Sequence, residues 1–357
     1  MKNNHFTILY YDGEVLEMKK KCLIILLMLV FLIAFMSGCK SQEVRMQETA
    51  TKSEETQKSQ EPITIEFCFR DGIPALTVAK LMKDNPVIDE NINIDFEIQK
   101  SPDLLVTKIL KEEADIAIVP SNLAAQAYNK GLSYKLMGTA TWGSMYLVST
   151  EDVEGFEDLI GKEVCAFGKG LTPDLVLRFV LSQNGIQPDE DVKITYLNAA
   201  SEVGPAFLSG KFNLALLSEP LATNILMKKE DAKIVLDLNE EWSHIAGTKS
   251  GFPQASLIMK SDLIENNKEF VDEFIKLYEE SIKWAKENPE ELGDISEELE
   301  LGVGKEPIIK GIERMNIGSF SIEDSREEYN VYFEAIMDFS PDFIGGKIPD
   351  EDLFFER

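Results

Sequence analysis

An α/β architecture, with two lobes of mainly parallel sheet flanked by helices, is what this sequence predicts. Three observations predict it. Short β-rich runs alternate with helical patterns from Pro62 onward, a second set of such units begins near Gly161, and the chain turns mostly helical from Asp262. The length of 357 residues favours about two domains. The 44% hydrophobic content is enough for a sizeable core and excludes wholesale disorder.

The elements follow in order. Ile63 to Phe69 is β-rich and ends at Arg70-Asp71-Gly72-Ile73-Pro74, after which Leu76, Ala79, Leu81 and Met82 mark a helix face. Ile92 to Ile98 alternates as a strand, Pro102 to Glu113 reads as a helix, and Asp115 to Val119 is a short apolar strand. Ser121 then opens a helix that Gly131 closes. In the second set, Glu163 to Phe167 leads through Gly168-Lys169-Gly170 to Thr172, an expected N-cap, with Pro173 at the first helical position. Val192 to Leu197, Phe212 to Leu217 and Lys233 to Leu238 are strands, with helices at Ser201 to Leu208 and after Ser218-Glu219-Pro220. Phe252 to Met259 returns to the first lobe, and a long helix carrying Phe270, Phe274 and Tyr278 stops before Pro289. The acidic run Glu290 to Glu300 reads as solvated surface, since it lacks calcium-loop spacing.

The N-terminus reads as an export signal. Lys19 to Lys21 precede fifteen uncharged residues, Cys22 to Met36, too short for a comfortable membrane span. Asp12, Glu14 and Glu17 are wrong for a leader, so Met18 is the expected initiator. Ser37-Gly38-Cys39 resembles a bacterial lipoprotein signal. That resemblance implies that Cys39 carries the lipid (palmitate) and anchors the chain to the cell membrane on the extracytoplasmic side. The expected organisation is a signal over 1–38 (true signal 18–38), a lipidated Cys and polar tether over 39–61, one lobe from 62–145 with 253–357, and a second lobe from 146–252. Cys68 and Cys165 lie in apolar runs and read as buried free thiols, with a single disulfide the alternative.

Function classes are narrowed by what is missing. A formal charge of −27 leaves no basic face for nucleic acid, and charge of one sign commonly serves solubility. Gly155 to Lys162 and Gly204 to Lys211 each miss the phosphate-loop spacing by one residue and lack the following Ser or Thr. Gly168-Lys169-Gly170 is too short for a dinucleotide turn, no G-x-S-x-G elbow exists, and no cysteine or histidine spacing fits a metal. His244, beside Trp242, reads as structural or cleft-lining. No cofactor, catalytic group or metal is expected.

A ligand crevice is expected instead, because small molecules bind beyond the carboxyl ends of strands in open α/β sheets. Polar or small residues occupy the junctions Arg70 to Pro74, Pro120 to Asn122, Gly168 to Thr172, Asn198 to Glu202 and Ser218-Glu219. Capping alone would account for many of them. Two crossings, near Ala140 to Ser149 and Gly251 to Met259, would make the cleft a hinge.

Ala114 to Gly131, Gly170 to Leu197 and Ala215 to Lys228 resemble the bacterial solute-binding lipoproteins of ABC importers, in the branch binding nitrate, aliphatic sulfonates, taurine and thiamine-pyrimidine precursors. Arg70 to Met82 is similar to that branch's first ligand loop and helix. The resemblance spans about Ile63 to Leu277. It implies a type II periplasmic-binding-protein fold with a helical C-terminal extension, a monomer, and delivery of ligand to an ABC permease and its ATPase. A ligand-sensing lipoprotein is the alternative. An enzyme on the same fold is a further one, although the related synthases use several histidines and a cysteine cluster absent here.

The expected ligand contacts are Arg70, Asp71, Ile73, Ser121, Asn122, Trp142, Thr172 and Glu219. Arg70 would favour an oxyanion such as a sulfonate, whereas Glu219 would repel an anion or accept from an amine or ring N–H. Trp142 would stack on a flat ring or pack the hinge. The balance leans towards a nitrogen-containing or heteroaromatic molecule. Arg178 is expected outside the cleft.

Overall fold

A computed structural model describes residues 62–318 and 322–356. Cys39 and the expected signal and tether lie outside them. Among the described residues no helix is long and apolar enough to cross a membrane.

Lobe 1 is a five-stranded sheet in the order β2-β1-β3-β10-β4, built from β1 (Ile63–Arg70), β2 (Ile92–Gln99), β3 (Ile116–Pro120), β4 (Tyr134–Trp142) and β10 (Pro253–Lys260). Lobe 2 repeats the plan as β7-β6-β8-β5-β9, from β5 (Met145–Ser149), β6 (Glu163–Phe167), β7 (Lys193–Leu197), β8 (Leu214–Ser218) and β9 (Lys233–Asp237). Each sheet is mainly parallel, as expected, with a single reversed strand that makes it mixed. β10 runs antiparallel to β3 and β4, and β5 runs antiparallel to β8 and β9. The reason is connectivity: each of these strands enters its sheet directly from a crossing between lobes, with no helix to reverse the chain.

Helices α1 (Ile73–Asp84), α2 (Pro102–Leu110) and α3 (Ser121–Asn129) follow β1, β2 and β3. In lobe 2, α4 (Thr172–Gln183), α5 (Ala200–Leu208), α6 (Leu221–Lys228) and α7 (Leu238–Ala246) follow β6 to β9. Thr172 is the first helical residue and Leu171 the N-cap, so the expected cap is displaced by one position. The reason is local: the Asp174 carboxylate takes the Gly170 N–H at 2.7 Å, so the Thr172 side chain is not needed for capping. His244 stands exposed on α7.

The C-terminal region adds α8 (Ser261–Asn266), α9 (Lys268–Glu287), α10 (Pro289–Glu298), α11 (Lys305–Gly311) and α12 (Ile322–Phe339). On α9 the stripe Phe270, Phe274 and Tyr278 is buried against β1, with Phe67 and Phe274 edge to face at 5.6 Å. Truncating Phe274 to Ala would cost about 3–5 kcal/mol. The acidic run is a helix with a buried side, Leu292 and Ile295, rather than wholly solvated surface. Its spacing of three apolar positions among many acids hid the stripe.

Both thiols are free and buried at matching places: Cys68 on β1 faces Ala117 of β3, and Cys165 on β6 faces Ala215 of β8. Burial above all pushes the Cys68 thiol up to about 12, helped by its hydrogen bond to Glu97, and burial pushes Cys165 up to about 11.

Candidate functional site: the face between the lobes

The chain passes between the sheets from β4 to β5 and again from α7 to β10, and the Gly143 N–H joins the two passages by donating to Phe252 O at 3.0 Å. Asn239, on α7, accepts from Phe252 N at 3.1 Å and donates to Ser250 O at 3.0 Å. Gly143 and Gly251 leave room for it. A Cβ on Gly143 would lie 2.3 Å from the Phe252 ring, and one on Gly251, at φ 92°, would lie 1.9 Å from Asn239 Oδ1. Trp142, nearly buried, donates its backbone N–H to Asn316 O at 2.9 Å, and the Asn316 amide returns to Gly143 O at 2.5 Å.

The expected site residues divide sharply. Asn122 and Thr172, from the starts of α3 and α4, meet across the lobes: the Thr172 hydroxyl donates to Asn122 Oδ1 at 3.3 Å. Arg70 and Asp71 pair with one another at 3.3 Å at the end of β1, beside Gly302. Ile73 is buried in the lobe 1 core. The Ser121 hydroxyl is wholly buried on Ser256 Oγ at 2.7 Å, and Ser256 continues to the Tyr329 hydroxyl at 2.7 Å and so to Thr139 at 3.1 Å. The Glu219 side chain is buried with its oxygens taken, by Thr223 N (3.1 Å), Thr223 Oγ1 (2.9 Å) and Arg314 Nε (2.7 Å). Arg178 holds Asp174 (2.7 Å) and Asp189 (2.8 Å).

Arg314, Tyr329 and Tyr332 come from the C-terminal extension, which the sequence reading left without contacts here. Tyr332 rests against Trp242 (5.9 Å between rings) and stacks at 6.3 Å on Phe252, while Trp242 also meets Phe179 of α4 at 4.4 Å. These rings belong to one apolar cluster that runs from lobe 1 residues such as Val119 to lobe 2 residues such as Val176. Trp242 Nε1 is buried without a hydrogen-bond partner, and the buried Tyr332 hydroxyl has the Thr172 hydroxyl as its polar neighbour. Burial drives the Tyr332 phenol well above its usual range, opposed only by the neighbouring Thr172 hydroxyl. The spacing Tyr329, Tyr332, Phe333, Ile336 was the signal available: an apolar stripe whose two phenols need partners.

Glu66, Cys68 and Glu97 bring three potential metal-ligand atoms within 4.8 Å of one another. The Lys108 ammonium bonds both carboxylates of this cluster, at 3.0 Å to Glu66 and more closely to Glu97, and so supplies the cation itself.

The NMT1/THI5-like family matches residues 88–292, more than half of the chain. YtlA of Bacillus subtilis (strain 168), named as a binding protein, is 26% identical over 203 residues, covering 55% of this chain and 58% of that one. The match thus spans little more than half the length of that curated relative. A solved ABC transporter chain from Parabacteroides distasonis is 28% identical, with a TM-score of 0.69 over 82% of this chain and 99% of that one. The aliphatic sulphonate binding protein SsuA of Escherichia coli shares the fold at 14% identity, with a TM-score of 0.63 over 82% and 96% of the two chains. The nitrate-binding protein NrtA of Synechocystis PCC 6803 does so at 14% and 0.57, over 80% and 84%.

Proposed function

The chain belongs to the NMT1/THI5-like family, and we propose that it is the extracytoplasmic solute-binding component of an ABC importer. It captures a small organic molecule between its lobes and hands it to a permease driven by an ATPase. The supporting observation is the meeting of Asn122 and Thr172, two helix starts from opposite lobes, in a molecule whose chain passes between the two sheets from β4 to β5 and again from α7 to β10. Opening about that joint would part the pair and admit a ligand, and closure would hide it. Asn122, Thr172, Asp71 and Arg70 are the proposed ligand contacts, while Ile73, Ser121, Trp142 and Glu219 support the walls. Cys39 is the proposed lipid attachment, holding a monomeric protein at the outer face of the cell membrane. The reading is a carrier rather than an enzyme, since the junction carboxylates Asp174 and Glu219 are held in ion pairs and His244 faces solvent.

The test is thermal unfolding against taurine, alkane sulfonates, nitrate, thiamine, its pyrimidine precursors, riboflavin and simple amines. A ligand at 100 times its Kd adds about 2.7 kcal/mol. One selective class should raise the midpoint. An Asn122→Ala, Thr172→Ala pair that bound this ligand as tightly as the parent would remove the site from this face.

A further inference from the structure

The stretch from Lys305 to Gly318 packs as part of lobe 1, yet it holds on to lobe 2. Ile308, Met315 and Ile317 are buried in the same apolar cluster as Phe67 and Leu76 of lobe 1. The end of the stretch runs beside β4, the last strand of the lobe 1 sheet: the Gly318 N–H donates to Ala140 O at 2.8 Å, and Thr141 bridges Ile317. From this anchorage the turn Ile312–Met315 reaches lobe 2. The Arg314 guanidinium donates through Nε to Glu219 Oε1 at 2.7 Å and through Nη2 to the Thr223 hydroxyl. The Tyr146 hydroxyl of β5 donates to Arg314 O at 2.7 Å. Gly311 lies so close to α6 that a Cβ there would stand 2.5 Å from Thr223 Oγ1.

These contacts lie beside the first passage between the sheets. The Glu219 N–H donates to Ser144 O at 3.0 Å, and the Asn316 amide donates to Gly143 O at 2.5 Å. Any swing of the lobes about that passage carries Glu219 with lobe 2 and leaves Arg314 with lobe 1, so the pair must stretch. The Glu219 side chain is fully buried, whereas that of Arg314 is 33% exposed. Water can therefore take back the arginine on release, but the carboxylate would be left buried without its charge partner. Opening the lobes bears that cost, and closing them removes it.

We propose that residues 311–316 form a third, non-covalent link between the lobes, and that the Arg314–Glu219 pair biases them towards the closed arrangement. The proposal rests on the reading of two lobes that part to take up a solute, but its test needs no solute.

Small-angle X-ray scattering of the full-length protein compares the parent with the double variant Arg314→Met, Glu219→Gln, which strands no charge. Hydrogen exchange is followed on the same samples. The radius of gyration should rise, and the amides from Trp142 to Tyr146 and from Asn316 to Gly318 should exchange about tenfold faster, while those of β1 and β6 keep their parent rates. Arg314→Lys, which keeps the charge but loses the fork that reaches both Glu219 and Thr223, should fall between the two. Faster exchange throughout β1 and β6 would mean general loosening and would overturn the link. An unchanged radius, with exchange altered only from Glu219 to Thr223, would show a local helix cap and overturn it too. Either failure leaves solute capture standing, because the ligand panel tests that separately.

Discussion

Lobe 1 and lobe 2 hang equivalent strands in equivalent order, yet they finish the ends of those strands with different chemistry. After β3, lobe 1 buries a hydroxyl, Ser121, in a neutral chain through Ser256 and Tyr329 to Thr139. After β8, the matching position in lobe 2 buries a carboxylate, Glu219, against Arg314. The difference teaches where each lobe is fragile. Removing one member of a neutral chain leaves a modest vacancy, whereas removing one member of a buried ion pair leaves a charge with nowhere to go.

The largest expected effect lies at the joint between the lobes, where neither chemistry operates. Gly251→Ala should cost about 3 kcal/mol or more, because its positive φ and the Asn239 amide both reject a Cβ. Urea unfolding would read this, and a loss below 1 kcal/mol would show that Asn239 does not hold the crossings. Next comes the comparison itself. Arg314→Met should cost about 3 kcal/mol by stranding Glu219, and the double variant Arg314→Met, Glu219→Gln should recover much of it. Ser121→Ala in lobe 1 should cost only about 1 kcal/mol. Equal losses in the two lobes would break the contrast.

The smallest effect is one of pH. Burial raises the Asp237 carboxyl above its ordinary value of 3.8, against the lowering by the N–H groups of Glu240 and Asn239. A carboxyl raised in the folded state binds more protons there than in the unfolded chain, so stability falls as pH climbs from about 3.8 through the raised value. Asp237→Asn keeps an oxygen for the helix cap and removes that fall. Its stability relative to the parent should therefore rise between pH 4 and pH 7. A relative stability flat over that range would show that Asp237 is solvated.

Most of the strand and helix order was legible because local pattern carries it. Ile63 to Phe69, for example, is β-rich and ends in a glycine turn, and Pro102 marks a helix start. The mixed strand directions were not legible, since the sense of β5 and β10 depends on how the crossings pass between sheets. The site was half legible. Asn122 and Thr172 stand at junctions and were found by position. Arg314 lies 95 positions from the Glu219 it neutralises, and Tyr329 lies 73 from Ser256, so no local spacing joins them. A carboxylate at a junction looks the same in sequence whether it faces a ligand or an arginine.

The matched cysteines give each lobe its own clock. With Cys68 and Cys165 buried and their thiols pushed to about 12 and about 11, neither presents a reactive thiolate at neutral pH while its strand stays paired. A thiol reagent must wait for the surrounding sheet to open, so the labelling rate of each cysteine counts the openings of its own lobe. The wild-type protein thus reports two local stabilities at once, and a solute that clasps both lobes should slow both clocks together.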